Sequence, residues 1–227
     1  MLKLSKRLQA VSKLVRDNVS LADIGTDHAY LPVFLLQEGK INRAIACDIN
    51  ESPLKNAAGC IRENNVSDIE LRLGDGLSPV SSHEVDDIVI AGMGAENIIA
   101  ILDNCAWCKG KRYNFVFQPM TRTELLREYL CESGYEIYKE ICTEENSKHY
   151  CVIGARYNGN CFKASELFKA LGKVPENSDK YSKQYILFQL NKYKRILNGL
   201  NRAQNSHDTS LLLKTIKEIE EIYNDYS

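Results

Sequence analysis

The chain lacks any apolar run long enough to cross a membrane. None of its segments approaches the ~20 apolar residues that a transmembrane helix needs. The first eight residues, MLKLSKRL, are basic but have no apolar signal core, so we expect a protein that is not secreted. Positive and negative charges nearly balance, since the formal net charge is −1. With 44% hydrophobic residues among 227, the composition excludes disorder throughout and fits one full domain with an appendage.

A disulfide framework is also missing, although the chain has eight cysteines. They are scattered, and several lie in apolar, strand-like segments such as Ile45-Ala46-Cys47, which predicts reduced, buried thiols in a cytoplasmic protein. Only Cys105 and Cys108 have the spacing of a metal or redox pair. Because no second cysteine pair or paired histidine accompanies them, we predict no metal site and assign no redox role.

Alternating apolar and polar segments predict an α/β fold. An amphipathic helix is expected first, at 3–17. Strands are expected at 19–24, 43–48, 69–73, 87–91 and 113–117, with helices between them at 29–38, 52–64, 96–102 and 121–133. Ser52 is expected to cap its helix and Pro53 to occupy the first position. Segments 135–142 and 149–156 predict a closing antiparallel hairpin on a mostly parallel, Rossmann-like sheet.

The strand pattern stops near residue 160. Helices are expected beyond it at 166–171, 180–198 and 207–223, and the two longer ones carry apolar residues at helical spacing. We predict that these two pair as an antiparallel, coiled-coil-like hairpin. The chain is therefore divided into a cofactor-binding domain, residues 1–160, and a C-terminal helical domain, residues 161–227.

Glycines and polar residues follow five consecutive predicted strands, where open α/β sheets bind ligands. These segments are DIGTDHAYLP (23–32), Asp48, GDG (74–76), AGMG (91–94) and QPM (118–120). Gly25 permits a tight turn close to a ligand. Asp48 can accept hydrogen bonds from both hydroxyls of a ribose, and Asp75 from the amine of an adenine. Gly92 leaves room for a flat substrate, so the pattern predicts a cofactor that contains adenosine.

The first of these loops lacks both G-x-G-x-x-G and the GK[ST] of a phosphate-binding loop. Thr26, Asp27 and His28 follow Gly25 instead, and a second acid here repels a pyrophosphate but suits a cation. S-adenosylmethionine carries a sulfonium and an α-ammonium group. We therefore favour a methyl donor over a nucleotide phosphate or a nicotinamide cofactor.

Purely structural roles stay open for several of these residues. Asp27 could cap the helix that begins at Ala29, and His28 could begin that helix without touching a ligand. Tyr30 and Met93 could be pocket walls with no chemical role. Asp75 and the glycine after it could form only a turn.

Together these motifs resemble those of the bacterial tRNA (adenine-22-N1)-methyltransferases, the TrmK-like family. Segment 23–32 is the most specific, and LSKRL (4–8), AGMG and QPM accompany it. The resemblance covers nearly the whole chain, including the helical hairpin. It implies a class I methyltransferase fold that uses S-adenosylmethionine, releases S-adenosylhomocysteine and methylates N1 of adenine 22 in tRNA, in the bacterial cytoplasm. The chain departs from the family at Ala95, usually a glycine, and we expect the added methyl near the substrate mouth.

Carried over by position, the resemblance implies a cofactor site at the strand ends. Its residues are Arg7, Asp23, Gly25, Thr26, Asp27, His28, Asp48, Ile49, Asp75, Gly76, Gly92 and Met93. Arg7 is expected to reach the cofactor's methionine carboxylate or an RNA phosphate. Asp27 is the candidate catalytic carboxylate, because N1 methylation leaves a cationic base that it would stabilise or relieve of a proton. Tyr30 is the candidate for stacking on, or hydrogen bonding to, the target base.

The fourth strand end lacks the Asn/Asp-Pro-Pro-aromatic motif that methyltransferases of exocyclic amines commonly carry. AGMG stands there instead. This absence disfavours methylation of an amine and agrees with a ring nitrogen as the acceptor.

Two basic segments flank an acidic centre. The charge pattern alone fits a polyanionic partner and ordinary solvated helix faces equally well, and the implied tRNA substrate favours the polyanionic partner. The residues expected to contact tRNA phosphates are Lys3, Lys6, Lys180, Lys183, Lys192, Lys194 and Arg195. No membrane and no obligatory protein partner are predicted. Two other functions stay open: a small-molecule methyltransferase with a self-associating tail, and a non-catalytic protein that binds S-adenosylmethionine and recruits a partner.

Overall fold

Seven strands form one sheet in the computed structural model, which describes residues 2–202 and 208–226. They are β1 (Val19–Ile24), β2 (Ile41–Asp48), β3 (Ile69–Leu73), β4 (Asp87–Gly94), β5 (Asn114–Thr121), β6 (Tyr135–Glu145) and β7 (Lys148–Tyr157). Their order is β3-β2-β1-β4-β5-β7-β6. The first five strands are parallel, and β6 and β7 form an antiparallel hairpin that joins β5 through β7. The predicted fold class is confirmed.

Helices cover both faces of this sheet. They are α1 (Lys6–Ser12), α2 (Tyr30–Gln37), α3 (Glu51–Glu63), α4 (Ala95–Asp103), α5 (Thr123–Glu132), α6 (Glu166–Leu171), α7 (Lys180–Arg202) and α8 (Ser210–Asp225). Strand side chains alternate between two buried clusters, as Val152 and Ile153 do. The cluster of Val152 includes Val11 of α1, and that of Ile153 includes Ile98 of α4 and Ile186 of α7. Helices α1 to α3 therefore lie on one face, and α4, α5 and the C-terminal helices on the other.

The central strand β4 is buried on both faces, which explains its unbroken apolar sequence. Ile88, Val89 and Ile90 have no exposed surface. A parallel strand covered by helices on both sides needs apolar residues at successive positions rather than at alternate ones. The strand continues beyond its predicted end at residue 91 to Gly94.

Two predicted helix starts and ends need correction. Helix α1 begins after Ser5, whose Oγ accepts a hydrogen bond from the Leu8 amide, and ends at Ser12 rather than near 17. Leu14 and Val15 are buried outside the helix, so their apolar spacing reports burial and not helicity.

Helix α3 begins at Glu51, and Asn50 precedes it where Ser52 was expected as the cap. Pro53 is the third helical residue and not the first. Proline is tolerated throughout a first turn because the amides there have no partner within the helix.

The C-terminal helices form the predicted antiparallel hairpin. Lys194 Nζ lies 2.5 Å from Glu220 Oε1, and Lys183 Nζ donates to the Tyr226 carbonyl at the other end of the pair. Helix α7 continues through Gly199, which was expected to begin the connecting loop. His207, the predicted first residue of the last helix, lies outside the described residues.

A buried ion pair joins the C-terminal segment to the sheet. Arg127 of α5 and Glu140 of β6 are both fully buried, with Nε 2.9 Å from Oε1. Arg127 Nη1 also donates to the carbonyls of Lys169 and Ala170, while Glu140 Oε2 accepts from the Lys173 amide. Because each charged group is hydrogen-bonded, the burial is tolerated, and α6 is held against α5 and β6.

Helix α7 runs towards the side of the sheet where the parallel strands end, which we call the carboxyl edge. Near its start, the Tyr185 hydroxyl lies 3.4 Å from Arg127 Nη2, and two turns later Lys192 Nζ reaches Glu124 Oε1 at 2.9 Å. Glu124 is in the first turn of α5, just after β5 ends. Residues 193–202 continue the helix for about 15 Å along its axis beyond this contact. Among the described residues, no helix is both long and apolar enough to span a bilayer.

Candidate active site

Two cavities open at the carboxyl edge of the sheet, and both are lined by Gly25. The first, about 800 Å³, lies at the ends of β2 and β3 and contains Asp48 and Asp75. The second, about 710 Å³, lies between the N-terminal segment and the loop after β1, and contains Arg7 and Asp27. Both volumes fit small-molecule sites. The residues predicted to bind a cofactor are thus divided between two adjoining spaces.

Gly25 stands where the cavities meet, and its position requires glycine. Its φ is +76°, and a Cβ built there would overlap the terminal methyl of Met93. The amides of Gly25 and Thr26 both donate to the Cys47 carbonyl at 2.9 Å, which holds the loop tightly against β2. Backbone atoms rather than a side chain therefore face the junction.

Carboxylates at two strand ends line the first cavity. Asp48 is half-buried, and its Oδ1 accepts from the Asn50 amide at 2.8 Å, which leaves Oδ2 without a protein partner among the described residues. Asp75 is exposed, and the side chain of Ile49 is 61% exposed beside them. One oriented acceptor, a second carboxylate and an apolar wall suit a ligand with hydroxyls and a flat ring.

The opposite wall of the first cavity was missed by sequence reasoning. It is formed by Asn97 and Ile101 of α4 and by Trp107, which lies in the short 3₁₀ turn Ala106–Lys109. Asn97 and Ile101 are one helical turn apart, directly after the glycines that end β4. That spacing was the available signal, whereas only the fold brings Trp107 to Asp75.

Cys105 and Cys108 are joined by a disulfide beside the first cavity, with their Cα atoms 5.5 Å apart. This corrects the expectation that the cysteines are reduced. Both residues are buried, and Cys105 lines the cavity. The other six cysteines are free thiols. Burial, reinforced by the charge of Asp23, raises the pKa of Cys47 to about 12, so this thiol is neutral at physiological pH.

Asp27 faces the second cavity and does not cap a helix. Its carboxyl group is 76% exposed, with Oδ2 3.6 Å from His28 Nε2. The residue preceding α2 is Ala29, in the left-handed conformation, and its amide donates to Thr26 Oγ1 at 3.1 Å. Thr26 thus satisfies the local amide, and the capping role considered for Asp27 is excluded.

His28 and Tyr30 form a stacked pair in the same cavity. Their ring centroids are 4.8 Å apart and their planes differ by 3°. Tyr30 is 42% exposed, so one aromatic surface is open to a further ring. The pair offers a flat platform next to the Asp27 carboxylate.

Asp23 is a buried acid at the end of β1. It is 9% exposed and lines the second cavity. Burial raises the pKa of Asp23 to about 6, although a hydrogen bond with Thr26 partly offsets the rise. A cation placed beside Asp23 would favour its ionised form.

Ala95 does not lie where its methyl group was expected. It is the first residue of α4, is fully buried and belongs to the main core. Its methyl group therefore packs inside the protein and not at the substrate mouth.

The seven basic residues predicted for tRNA divide into two groups. Three have intramolecular partners: Lys183 the Tyr226 carbonyl, Lys192 Glu124, and Lys194 Glu220. The side chains of Lys3, Lys6 and Lys180 are exposed and have no hydrogen-bond or ion-pair partner within the described part of the chain, and exposed Arg195 bonds only the Asn191 carbonyl, at 3.3 Å. Lys3 lines the second cavity, on the opposite face of the sheet from α7.

Known proteins are similar to this chain in sequence and in fold. A family model for a methyltransferase domain matches residues 4–153. The tRNA (adenine(22)-N(1))-methyltransferase of Bacillus subtilis is 37% identical over 155 residues, which are 68% of this chain. The match spans 65% of that relative's length, slightly less than two thirds.

Two solved structures superpose over nearly all of the chain. The B. subtilis M1A22 tRNA methyltransferase TrmK does so with a TM-score of 0.78 and 28% identity, covering 100% of this chain and 99% of that one. Streptococcus pneumoniae Sp1610, in complex with S-adenosyl-L-methionine, does so with a TM-score of 0.82 and 28% identity, covering 97% of this chain and 100% of that one.

Proposed function

This chain belongs to the methyltransferase-domain family, and we propose that it catalyses the reaction for which its relative, the tRNA (adenine(22)-N(1))-methyltransferase, is named. The proposed reaction transfers a methyl group from S-adenosylmethionine to N1 of adenine 22 in tRNA. The observation that carries it is the meeting of two cavities at Gly25, one suited to an adenosine and the other holding a carboxylate beside a stacked aromatic pair.

The residues of the first cavity fit the adenosine part of this cofactor. Asp48 would accept hydrogen bonds from the ribose and Asp75 from the adenine amine, with Ile49 and Trp107 as apolar walls. Asp23 and the second cavity would face the cationic methionine part. When bound, S-adenosylmethionine supplies an electrophilic methyl group on a sulfonium.

The second cavity would receive the target adenine, lifted out of its pairing. Tyr30, backed by His28, would stack on the base and orient its N1 lone pair. Formation of the bond between N1 and the methyl carbon places a positive charge on the base, which the Asp27 carboxylate would stabilise. At the end of β4 the chain offers Ala91 and Gly92 and no proline carbonyls for an amine.

The test is methylation of unmodified bulk tRNA with methyl-labelled S-adenosylmethionine, followed by digestion to nucleosides. We expect the label in N1-methyladenosine, which chromatography separates from N6-methyladenosine. Label in the N6 compound would contradict the proposed acceptor. A protein that binds S-adenosylhomocysteine but labels no nucleoside would contradict the tRNA substrate.

Cofactor binding is expected to depend on the ionisation of Asp23. Below pH 6 the free protein holds a proton on Asp23, and the α-ammonium group of the ligand must displace it. The Kd for S-adenosylhomocysteine, which carries this group, should therefore rise as pH falls from 7.5 to 5, approaching tenfold per pH unit at the acid end. Calorimetry over this range measures it. His28 and Asp27 line the same cavity, so Asp23→Asn is the control. This variant should bind more weakly at pH 7.5 and lose the dependence, whereas an unchanged dependence would exclude Asp23.

We propose that tRNA phosphates contact Lys3 and Lys6 on one face of the sheet and Arg195 of α7 on the other. Lys180, the first residue of α7, lies about 18 Å of helix before Lys192 and would extend this contact away from the carboxyl edge. The end of α7 that projects past this edge would extend the surface beyond the cavity. This substrate places the proposed reaction in the bacterial cytoplasm.

Replacing both Lys3 and Lys6 with alanine is expected to raise KM for tRNA severalfold and to leave the Kd for S-adenosylhomocysteine unchanged. Loss of two phosphate contacts should also lower the slope of log affinity against log salt by about 1 to 2. Filter binding at several salt concentrations measures this slope. The matched control is Lys109→Ala with Lys111→Ala, two exposed lysines before the amino end of β5. Equal slopes for the two double variants would exclude the proposed contact.

A further inference from the structure

Gln118 is a fully buried amide at the carboxyl edge, and the proposed mechanism does not use it. It lies in β5, next to β4. Its Oε1 accepts a hydrogen bond from Arg7 Nη1 at 2.6 Å and another from the Gly92 amide at 3.2 Å. One side chain therefore connects the helix α1 to the end of β4.

The orientation of this amide is determined by its other contacts. Gln118 Nε2 donates to the Pro119 carbonyl at 2.9 Å and lies 3.6 Å from Met120 Sδ. Both of these partners are acceptors, so the amide cannot turn over without losing them. Oε1 is thus directed towards Arg7 and Gly92 before any ligand binds.

Arg7 is held over Gly92 as a result. A Cβ at Gly92, where φ is +83°, would lie 3.5 Å from Arg7 Nη1, so the guanidinium occupies the space above this glycine. Arg7 is half-buried and lines the second cavity. Only one of its five N–H groups has an acceptor among the described residues. A half-buried guanidinium with four free donors is a receptor for an oxyanion.

We propose that Gln118 is a positioning residue, which holds Arg7 so that it binds one oxyanion of the two substrates. That oxyanion is either the carboxylate of the cofactor's methionine part or a phosphate of the tRNA. The inference rests on the proposed function for the identity of both substrates. The buried amide orients the guanidinium before a ligand binds. The conformational entropy of this long side chain is therefore lost during folding and not during binding.

The test compares Gln118→Met, Arg7→Met and the double variant. Methionine matches glutamine in length but cannot accept a hydrogen bond from Arg7. Each variant is titrated with S-adenosylhomocysteine and with its decarboxylated analogue, S-adenosyl-3-thiopropylamine, and KM for tRNA is measured. Each single variant is expected to bind the ligand that carries the oxyanion about tenfold more weakly. This loss corresponds to the free energy of one charged hydrogen bond. The double variant should lose no more than Arg7→Met alone, because Gln118 acts through Arg7.

The two sources of the oxyanion give different results. If it is the carboxylate, affinity falls for S-adenosylhomocysteine but not for the decarboxylated analogue. If it is a phosphate, neither affinity changes and KM for tRNA rises. The titration with the two nucleoside ligands needs no methylation, so it can support the role of Gln118 even if the protein does not methylate adenine 22.

A second variant guards against misfolding of Gln118→Met. Gln118→Glu keeps the acceptor for Arg7 and the length of the side chain, loses the hydrogen bond to the Pro119 carbonyl and pairs the guanidinium with a carboxylate, so it should show the same selective loss. Three results would overturn the proposal: no change in either nucleoside affinity or in KM for tRNA, equal losses for both nucleoside ligands, or losses in the double variant that add. Each of these would give Gln118 a role in stability alone or none.

Discussion

Replacing Asp27 with asparagine or alanine is expected to lower the single-turnover rate of tRNA methylation by about 100-fold or more, the usual contribution of a positioned acid or base. The reason is that N1 methylation charges the base, and Asp27 is the carboxylate beside the stacked pair of His28 and Tyr30. Affinity for S-adenosylhomocysteine, which has no sulfonium, should change by no more than about fivefold, because exposed carboxylates contribute little to binding energy.

Asp17→Asn is the matched control for this experiment. The Asp17 side chain is 77% exposed, close to the 76% of Asp27, and it lies 3.9 Å from Lys40 Nζ. It lines neither cavity. The control should methylate tRNA at the wild-type rate. If Asp27→Asn did so too, Asp27 would have no part in the chemistry.

Replacing Gly25 with alanine is expected to weaken S-adenosylhomocysteine binding by about tenfold, because the residue's positive φ makes alanine strained by on the order of 1 kcal/mol or more and the flexible end of Met93 must move aside. The new methyl group would overlap the end of Met93, at a backbone position with φ +76°. Met93 lines the first cavity, so its displacement would obstruct the adenosine site. Isothermal titration measures the loss.

Two further variants separate the causes of that loss. Gly39→Ala has a similar φ of +65° but nothing within 4 Å of the new methyl, so it should bind normally with a small decrease in thermal stability. Gly25→Ala combined with Met93→Ala removes the overlap and should recover part of the affinity. Wild-type binding by Gly25→Ala alone would contradict the junction as the cofactor site.

The sequence predicts the sheet and its ligand edge because both depend on local patterns. The bounds of β1, β3 and α6 match the predicted ones. Residues from the ends of β1 to β4 line the two cavities, and Gln118 of β5 contacts Arg7 and Gly92 beside them. Leu14 and Val15 show the limit of such patterns, because apolar spacing reports burial whether or not the segment is helical.

The parts of the site that could not be predicted depend on tertiary contacts. Trp107 reaches the first cavity only because the chain turns back after α4. Lys192 and Lys194 resemble free cations in the sequence, but their carboxylate partners are 68 residues away and on another helix, respectively. The QPM segment marks Gln118 as the end of a strand, but nothing in the sequence connects it to Arg7, since 111 residues separate the two.

The most direct test of the proposed reaction is methylation of two tRNA transcripts that differ in one ring atom. One carries adenosine at position 22, and the other carries 1-deazaadenosine, in which a C–H replaces N1 and removes the nucleophilic lone pair. Methyl-labelled S-adenosylmethionine should label the first transcript and leave the second at background. Equal labelling of both transcripts would contradict N1 of adenine 22 as the acceptor.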